Sequence, residues 1–256
     1  MQELKIRGYG RAARPQAEFR NQFALHIDDT TLRQHIGIGA DGRTAPEGRW
    51  FIAVAWIVAL ALLLAAVRFG TLGWWIACVL WVALAIWVVA FFRDPERAGP
   101  RDECLVLAPA DGKVVGVVET DEPAFFGGRA LRISIFMNVF NCHVNRYPAG
   151  GMVGYRHYNP GKFGHAAAEK SSLDNEQSSI GLTTERGKVL IRQIAGLIAR
   201  RIVTDHIVGT PVRQGDRMGM IRFGSRVDLF LPLGTEILVK PGDTTQVGVT
   251  PVAKWC

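Results

Sequence analysis

Only four cysteines occur in the 256 residues, at Cys78, Cys104, Cys142 and Cys256, and no two form a Cys-x-x-Cys pair. With no disulfide framework in view, the cysteines are expected to be isolated thiols, as in a reducing cytoplasm. His, Cys, Asp and Glu do not cluster at metal-ligand spacing, which predicts no metal. Lys113 is not accompanied by a phosphate-binding glycine loop, which argues against a pyridoxal-phosphate lysine. Long internal repeats and low-complexity segments are missing too. The net charge is +7 and the pI about 9.5. The arginines are nevertheless scattered rather than interleaved with aromatics, so a nucleic-acid partner is not expected. A basic protein of this kind suits an anionic membrane surface instead.

Charge is also missing from two long stretches. Trp50 to Val67 is an apolar run of 18 residues and Leu72 to Phe92 one of 21, separated only by Arg68-Phe69-Gly70-Thr71. At about 1.5 Å per residue the second reaches roughly 32 Å, enough for a bilayer core of about 30 Å. No regular polar face interrupts either run, so a helical membrane hairpin with both ends on one side is expected rather than two core helices. The 49 mostly polar residues ahead of it argue against a signal peptide. Lys5, Arg7, Arg11, Arg14, Arg20, Arg33, Arg43 and Arg49 precede the hairpin, Arg93, Arg97 and Arg101 follow it, and its turn holds only Arg68. The positive-inside rule then puts both flanks, and the domain after residue 93, on the cytoplasmic side of the cell membrane. Within the first 49 residues, Gln16 to His26 has the pattern of a short surface helix, with disorder an equal alternative.

Beyond residue 93 the texture changes to short apolar runs broken by Gly, Pro and Asp. Leu105–Leu107, Lys113–Val118, Leu131–Val139, Lys188–Ile194, Arg201–Val203 and Ile237–Val239 read as strands. Pro109–Gly112, Asp121–Pro123 and Pro241–Asp243 read as turns. Tyr155 to Lys170 reads as a loop, and Ile194 to Ile202 as either helix or strand. The expected fold is α+β: a mostly β soluble domain of barrel-sandwich-like sheets with a few helices, preceded by the two-helix membrane hairpin.

One dipeptide inside a strand-like run carries chemistry. In Met220-Ile221-Arg222-Phe223-Gly224-Ser225-Arg226-Val227 the glycine leaves its carbonyl open to close approach, since it has no Cβ. Ser225 can then attack its own preceding peptide bond, giving an N→O acyl shift and chain cleavage. Gly-Ser is common, and alone it decides nothing.

Four segments in this order resemble the phosphatidylserine decarboxylase proenzymes in their short bacterial form. They are Phe91-Phe92-Arg93-Asp94-Pro95-Glu96-Arg97, Ala108-Pro109-Ala110-Asp111-Gly112-Lys113-Val114-Val115, Phe136-Met137-Asn138-Val139-Phe140-Asn141-Cys142-His143-Val144-Asn145-Arg146, and Gly219-Met220-Ile221-Arg222-Phe223-Gly224-Ser225. Asn159-Pro160-Gly161-Lys162-Phe163 and Asn175-Glu176 add to them, and the resemblance covers roughly residues 50–250. It implies a membrane enzyme that cuts itself between Gly224 and Ser225 into a β chain, 1–224, and an α chain, 225–256, which stay together as a heterodimer. Ser225 would become a pyruvoyl group, the covalent cofactor, which would form a Schiff base with phosphatidylserine and release CO₂ to leave phosphatidylethanolamine.

On that resemblance His143 is the base for processing and the acid in decarboxylation, since imidazole titrates near neutral pH. Asp111 would orient or charge-stabilise it, as the third member of a Ser-His-Asp set. The sequence departs from the family at one point. Longer members carry His-x-x-His, and here Arg146 stands where the second histidine would be. Arg146 then has two readings, a guanidinium for the substrate's carboxylate or phosphate, and a structural salt bridge. His157, His165, His26, His35 and His206 are read as solvated or remote from catalysis. Two rivals remain. A membrane-anchored adaptor with a biotinyl- or lipoyl-like hybrid barrel fits the rhythm of Pro109–Val115 and Gly209–Gly219, but not the other motifs. A serine hydrolase using Ser225, His143 and Asp111 lacks a Gly-x-Ser-x-Gly elbow.

Overall fold

The computed structural model describes residues 44–161, 175–196, 201–222 and 225–255. The surface helix expected over Gln16 to His26, the residues His35, Lys162, Phe163, His165 and Gly224, and most of the Ile194–Ile202 question lie outside them.

The two apolar runs form α1, Arg49–Phe69, and α2, Leu72–Phe91. Pro46 starts a single 3-10 turn, Pro46–Gly48, ahead of α1, where its fixed φ and missing N–H are tolerated. Gly70 closes α1 at φ 66°, a left-handed conformation that costs glycine little, and donates its N–H to the Ala66 carbonyl. α1 has 21 residues, longer than the 18-residue run, because Arg49, Arg68 and Phe69 join its ends. At about 1.5 Å per residue both helices suffice for a bilayer core. Apart from Phe91 at the end of α2, the buried side chains are small, Ala55, Ala59, Ala66, Cys78 and Ala85, which lets the two backbones approach. The Trp81 indole adds a hydrogen bond of 2.9 Å to the Ala55 carbonyl. Only 17% of each apolar window is buried, so these helices turn their side chains outward, unlike core helices. They are long and apolar enough to cross a membrane.

After α2 every regular element among the described residues is a strand. In chain order these are β1 (Leu105–Leu107), β2 (Gly112–Glu122), β3 (Gly128–Met137), β4 (Val144–Arg146), β5 (Gly151–Asn159), β6 (Gln177–Thr184) and β7 (Gly187–Ala195). Then follow β8 (Ile202–Thr204), β9 (Pro211–Val212), β10 (Arg217–Ile221), β11 (Ser225–Leu231), β12 (Glu236–Ile237), β13 (Thr244–Thr245) and β14 (Pro251–Lys254). Eight of them make one sheet, ordered β13-β2-β3-β11-β7-β6-β5-β9; two three-stranded sheets, β4-β10-β8 and β1-β14-β12, complete the domain. The α+β, mostly β class is as expected.

The central strand is β11. It pairs antiparallel with β3 on one side and β7 on the other, in a register that sets Ser225 opposite both Met137 and Ala195. All seven of its residues are buried. Val227, Leu229 and Leu231 alternate into the main core with Val114, Ile133, Ile135, Val189 and Ile191. Gly112 starts β2 where a Cβ would lie 2.2 Å from the Phe136 carbonyl oxygen, so only glycine permits this approach to β3.

Three sequence expectations are corrected. His157 belongs to β5, whose polar, Gly-interrupted run Met152-Val153-Gly154-Tyr155-Arg156-His157-Tyr158 hides its alternation. The turn placed at Asp121–Pro123 begins only after Glu122, which stays in β2. Its buried carboxylate pairs with Arg192 at 2.9 Å and accepts the N–H groups of Phe125 and Phe126. Finally, Cys104 is disulfide-bonded rather than an isolated thiol, while Cys78 and Cys142 are free. A pairing between positions far apart in sequence leaves no local spacing to read.

The hairpin's two feet are locked to the sheets. The Ala45 N–H donates to the Phe92 carbonyl at 2.7 Å, bridging the segment before α1 to the end of α2. Arg217 of β10 pairs with Glu47 (2.8 Å), with Asp205, and at 3.7 Å with Asp94, and Asp94 also pairs with Arg146 of β4. Removing the cation from such a buried set strands the acids. Arg217→Ala should therefore cost about 3–5 kcal/mol, read as a lower unfolding midpoint in detergent. Arg129→Ala, which breaks the exposed pair with Glu119, should cost less than about 1 kcal/mol.

Candidate active site

Ser225 is fully buried at the head of β11. Its hydroxyl lies 3.5 Å from the Met137 sulfur, which also receives the Asn145 amide at 3.8 Å. The Asn145 carbonyl oxygen accepts from Gln193 at 2.8 Å, and Gln193 in turn meets Thr204, which contacts Ser178. A chain of uncharged polar side chains from β3, β4, β7, β8 and β6 thus runs beside the serine, inside an otherwise apolar core. Met137 and Asn145 lie in the quoted Phe136–Arg146 segment, but Gln193 and Thr204 come from ordinary strand sequence and gave no signal.

His143 immediately precedes β4 and is fully buried. The Ile221 N–H donates to its carbonyl at 3.2 Å, so the histidine extends the β4–β10 pairing at the last residue of β10. Its Nδ1 lies 3.0 Å from the Asn141 carbonyl, which only accepts; Nδ1 therefore carries the proton. That leaves Nε2 with its lone pair, buried and without a hydrogen-bond partner. A buried polar atom left unpaired is expensive and calls for an explanation. Phe91, the last residue of α2, covers the imidazole at a ring separation of 4.4 Å. Burial lowers its pKa to about 4, with the Asn141 bond opposing the shift and Arg93 adding to it.

The other expected site residues are held differently. The Asp111 carboxylate accepts the Val247 N–H at 2.7 Å and pairs with Arg97 at 2.8 Å. It makes no hydrogen bond to His143. Arg97 closes the Phe-Phe-Arg-Asp-Pro-Glu-Arg motif, so one family segment grips another. The Arg146 guanidinium is held by Asp94 and by the carbonyls of Pro95 and Gly215. His206 is buried, with Nδ1 3.2 Å from the Tyr147 hydroxyl. The Cys142 thiol sits 3.3 Å from the Arg93 carbonyl, and burial raises its pKa.

Comparison with known proteins gives the chain a family. The profile of the family described as phosphatidylserine decarboxylase matches residues 84–253. A relative named phosphatidylserine decarboxylase proenzyme, from Symbiobacterium thermophilum, is 47% identical over 211 residues, 82% of this chain and 94% of its own. Proteins of the same name from Azorhizobium caulinodans and Rickettsia typhi are 46% and 44% identical, each over 88% of its own length and 82% and 81% of this chain. The chain belongs to the phosphatidylserine decarboxylase family, a family of enzymes whose curated relatives are named as proenzymes.

The buried imidazole gives a measurable pH dependence. In the unfolded chain His143 titrates near 6.5, in the fold near 4. Between those values the unfolded state binds the extra proton, so stability is lost as pH falls from about 6.5 to about 4 and levels off below. The loss is about 3 kcal/mol. His143→Phe, which keeps a ring against Phe91, should remove that part of the slope in denaturant midpoints measured across this range.

Proposed function

We propose that this chain is a self-processing, pyruvoyl-dependent decarboxylase that converts phosphatidylserine to phosphatidylethanolamine. The observation that carries the reading is a buried Ser225 at the head of β11 together with a buried His143 held to β10 through the Ile221 N–H, its Nε2 without a hydrogen-bond partner among the described residues; the Ser225 hydroxyl itself contacts the Met137 sulfur and not the imidazole. The family membership and the relatives' proenzyme name support it.

In processing, the Ser225 hydroxyl attacks the Gly224 carbonyl carbon while His143 Nε2 takes its proton. A serine hydroxyl needs such a neighbouring base, and the low pKa keeps the imidazole neutral and ready at ordinary pH. The peptide C–N bond is exchanged for an ester. Elimination of the Gly224 carboxylate, with loss of ammonia on hydrolysis, then leaves a pyruvoyl group in place of Ser225. The site fits such a group: it is buried, carries no competing charge on Ser225's immediate contacts, and offers the Asn145 and Gln193 amides close by. When present, that carbonyl supplies the electron sink that amino-acid decarboxylation requires. His143 Nε2 accepts the proton that the substrate's ammonium must lose and later returns it to Cα, so one base serves both stages. Asp111 lends charge beside Cys142 and fixes Arg97, rather than bonding the imidazole. Arg146 anchors the foot of α2 through Asp94.

The chains 1–224 and 225–256 would remain together. The segment after Ser225 supplies β11 and β13 to the large sheet and β12 and β14 to a small one. The domains then divide as an N-terminal segment of residues 1–49, a membrane hairpin of 50–92 and a catalytic domain of 93–256. The disulfide at Cys104 removes the cysteine argument for a reducing compartment. The cytoplasmic placement therefore rests on the flanking arginines alone.

Intact mass of the purified protein tests the scheme. With its disulfide reduced, wild type should give two species, 1–224 and a pyruvoyl-started 225–256, and Ser225→Ala one uncut chain without decarboxylase activity. An active Ser225→Ala protein, or a folded wild type that stays whole, would sink it.

A further inference from the structure

Three residues before Ser225, Arg222 stands apart from the other arginines around the hairpin's feet. Arg146 and Arg217 are held by acids, and Arg93 by the carbonyls of Ala90 and Phe140. Arg222 has no ion pair or side-chain hydrogen bond among the described residues, and its Nε is buried without a partner. Its guanidinium lies 5.2 Å above the ring of Phe51, in the first turn of α1. Its backbone N–H donates to the Arg201 carbonyl at 3.3 Å, and the charge of Arg201 is close enough to be felt. Desolvation first, and then Arg201, lowers the pKa of Arg222; Glu47 opposes this from a distance. Glu47 is itself engaged by Arg217 and makes no salt bridge with Arg222. Two arginines that disfavour one another, one with a buried donor unused, are arranged for an anion.

The location says which anion. Phe51 stacks on Phe92 at 5.4 Å, Phe92 meets Phe91 edge-on at 5.0 Å, and Phe91 covers His143 at 4.4 Å. One aromatic wall, built from both feet of the hairpin, therefore connects Arg222 to the catalytic imidazole. With both helix ends on one side of a bilayer, these feet lie in the interfacial layer, where lipid phosphates sit. We propose that Arg222 and Arg201 bind the phosphodiester of the lipid substrate, orienting its serine headgroup along the aromatic wall toward Ser225. This rests on the decarboxylase reading and names the group by which it holds its lipid. A guanidinium matches a phosphate geometrically, and a half-desolvated one over an aromatic ring binds it more strongly than an exposed one.

The test uses full-length protein in detergent and dihexanoyl phosphatidylserine kept below its micelle concentration, so that no lipid surface contributes. For chains shown by mass to be cut, Arg201→Gln and Arg222→Gln should each raise KM roughly tenfold to hundredfold, with kcat changed less than about threefold, and Arg222→Lys should recover part of the loss. Unchanged KM in the cut variants overturns the proposal. Because Arg222 lies close to the cleaved bond, a second arm uses uncut Ser225→Ala protein and the ³¹P signal of dihexanoyl phosphatidylglycerol, which has no amine to react. The signal should shift on binding and lose that shift when Arg201→Gln is added; an equal shift overturns the proposal. Inorganic phosphate in tenfold excess should not displace the lipid, and full displacement would make this a free-phosphate site instead. A loss of phosphatidylglycerol binding with KM for the serine lipid intact would make it a bystander-lipid site, which also overturns the proposal. Should wild type prove not to decarboxylate at all, the catalytic reading falls while the ³¹P arm still decides the arginine site.

Discussion

The structure depends on the double pairing of β11. A strand hydrogen-bonded on both edges and buried on both faces cannot slip, because a shift of one residue would reverse every side chain between core and outer face. Ser225 is the first residue of that strand, so its position is fixed to the accuracy of the sheet itself. The residue expected to react is thus held by the most constrained strand, while the turn before it comes from a separate, three-stranded sheet.

The second constraint is the seam between hairpin and sheets. Phe91 and Phe92 end α2 and also enter the small core with Cys142, Val144 and Met220, and Phe91 lies on His143. The same contacts that dock the hairpin therefore keep water from the imidazole and set its low pKa. The ionic contacts around Arg217 and Asp94 do the orienting. The docking of the two apolar helices and the shielding of His143 are one packing arrangement, not two modules joined by a linker.

Much of this was legible in the sequence. The hairpin followed from two charge-free runs, since a bilayer demands length and apolarity and little else. The mostly β class followed from short apolar runs between Gly, Pro and Asp. Ser225 and His143 came from motifs, and both are fully buried, one heading β11 and the other bonded through its carbonyl to β10. What sequence could not supply was partnership. Asp111 next to Gly112 looked like the third member of a triad, yet its carboxylate is satisfied by Arg97 and the Val247 amide. Arg146 offered two readings, and only the fold brings Asp94 to it from 52 residues away. The polar chain of Asn145, Gln193 and Thr204 draws on three strands, and β5 was missed because its outer face is polar enough to look like a loop.

The strand order has a consequence for how the molecule is made and lost. With the proposed cut at the head of β11, the middle strand of an eight-stranded sheet belongs to a 32-residue peptide (256 − 224). The precursor folds as a single chain, with loop closure alone to bring β11 between β3 and β7. After such a cut, and with the disulfide at Cys104 reduced, the same assembly would be a two-body problem, and its unfolding equilibrium would acquire a dependence on protein concentration. A peptide once lost from the centre of the sheet must find a narrow slot with both edges unpaired and open to wrong partners. A chain so cut and reduced would be preserved by the slowness of its unfolding rather than by ready refolding, and each copy of the fold would in effect be assembled once.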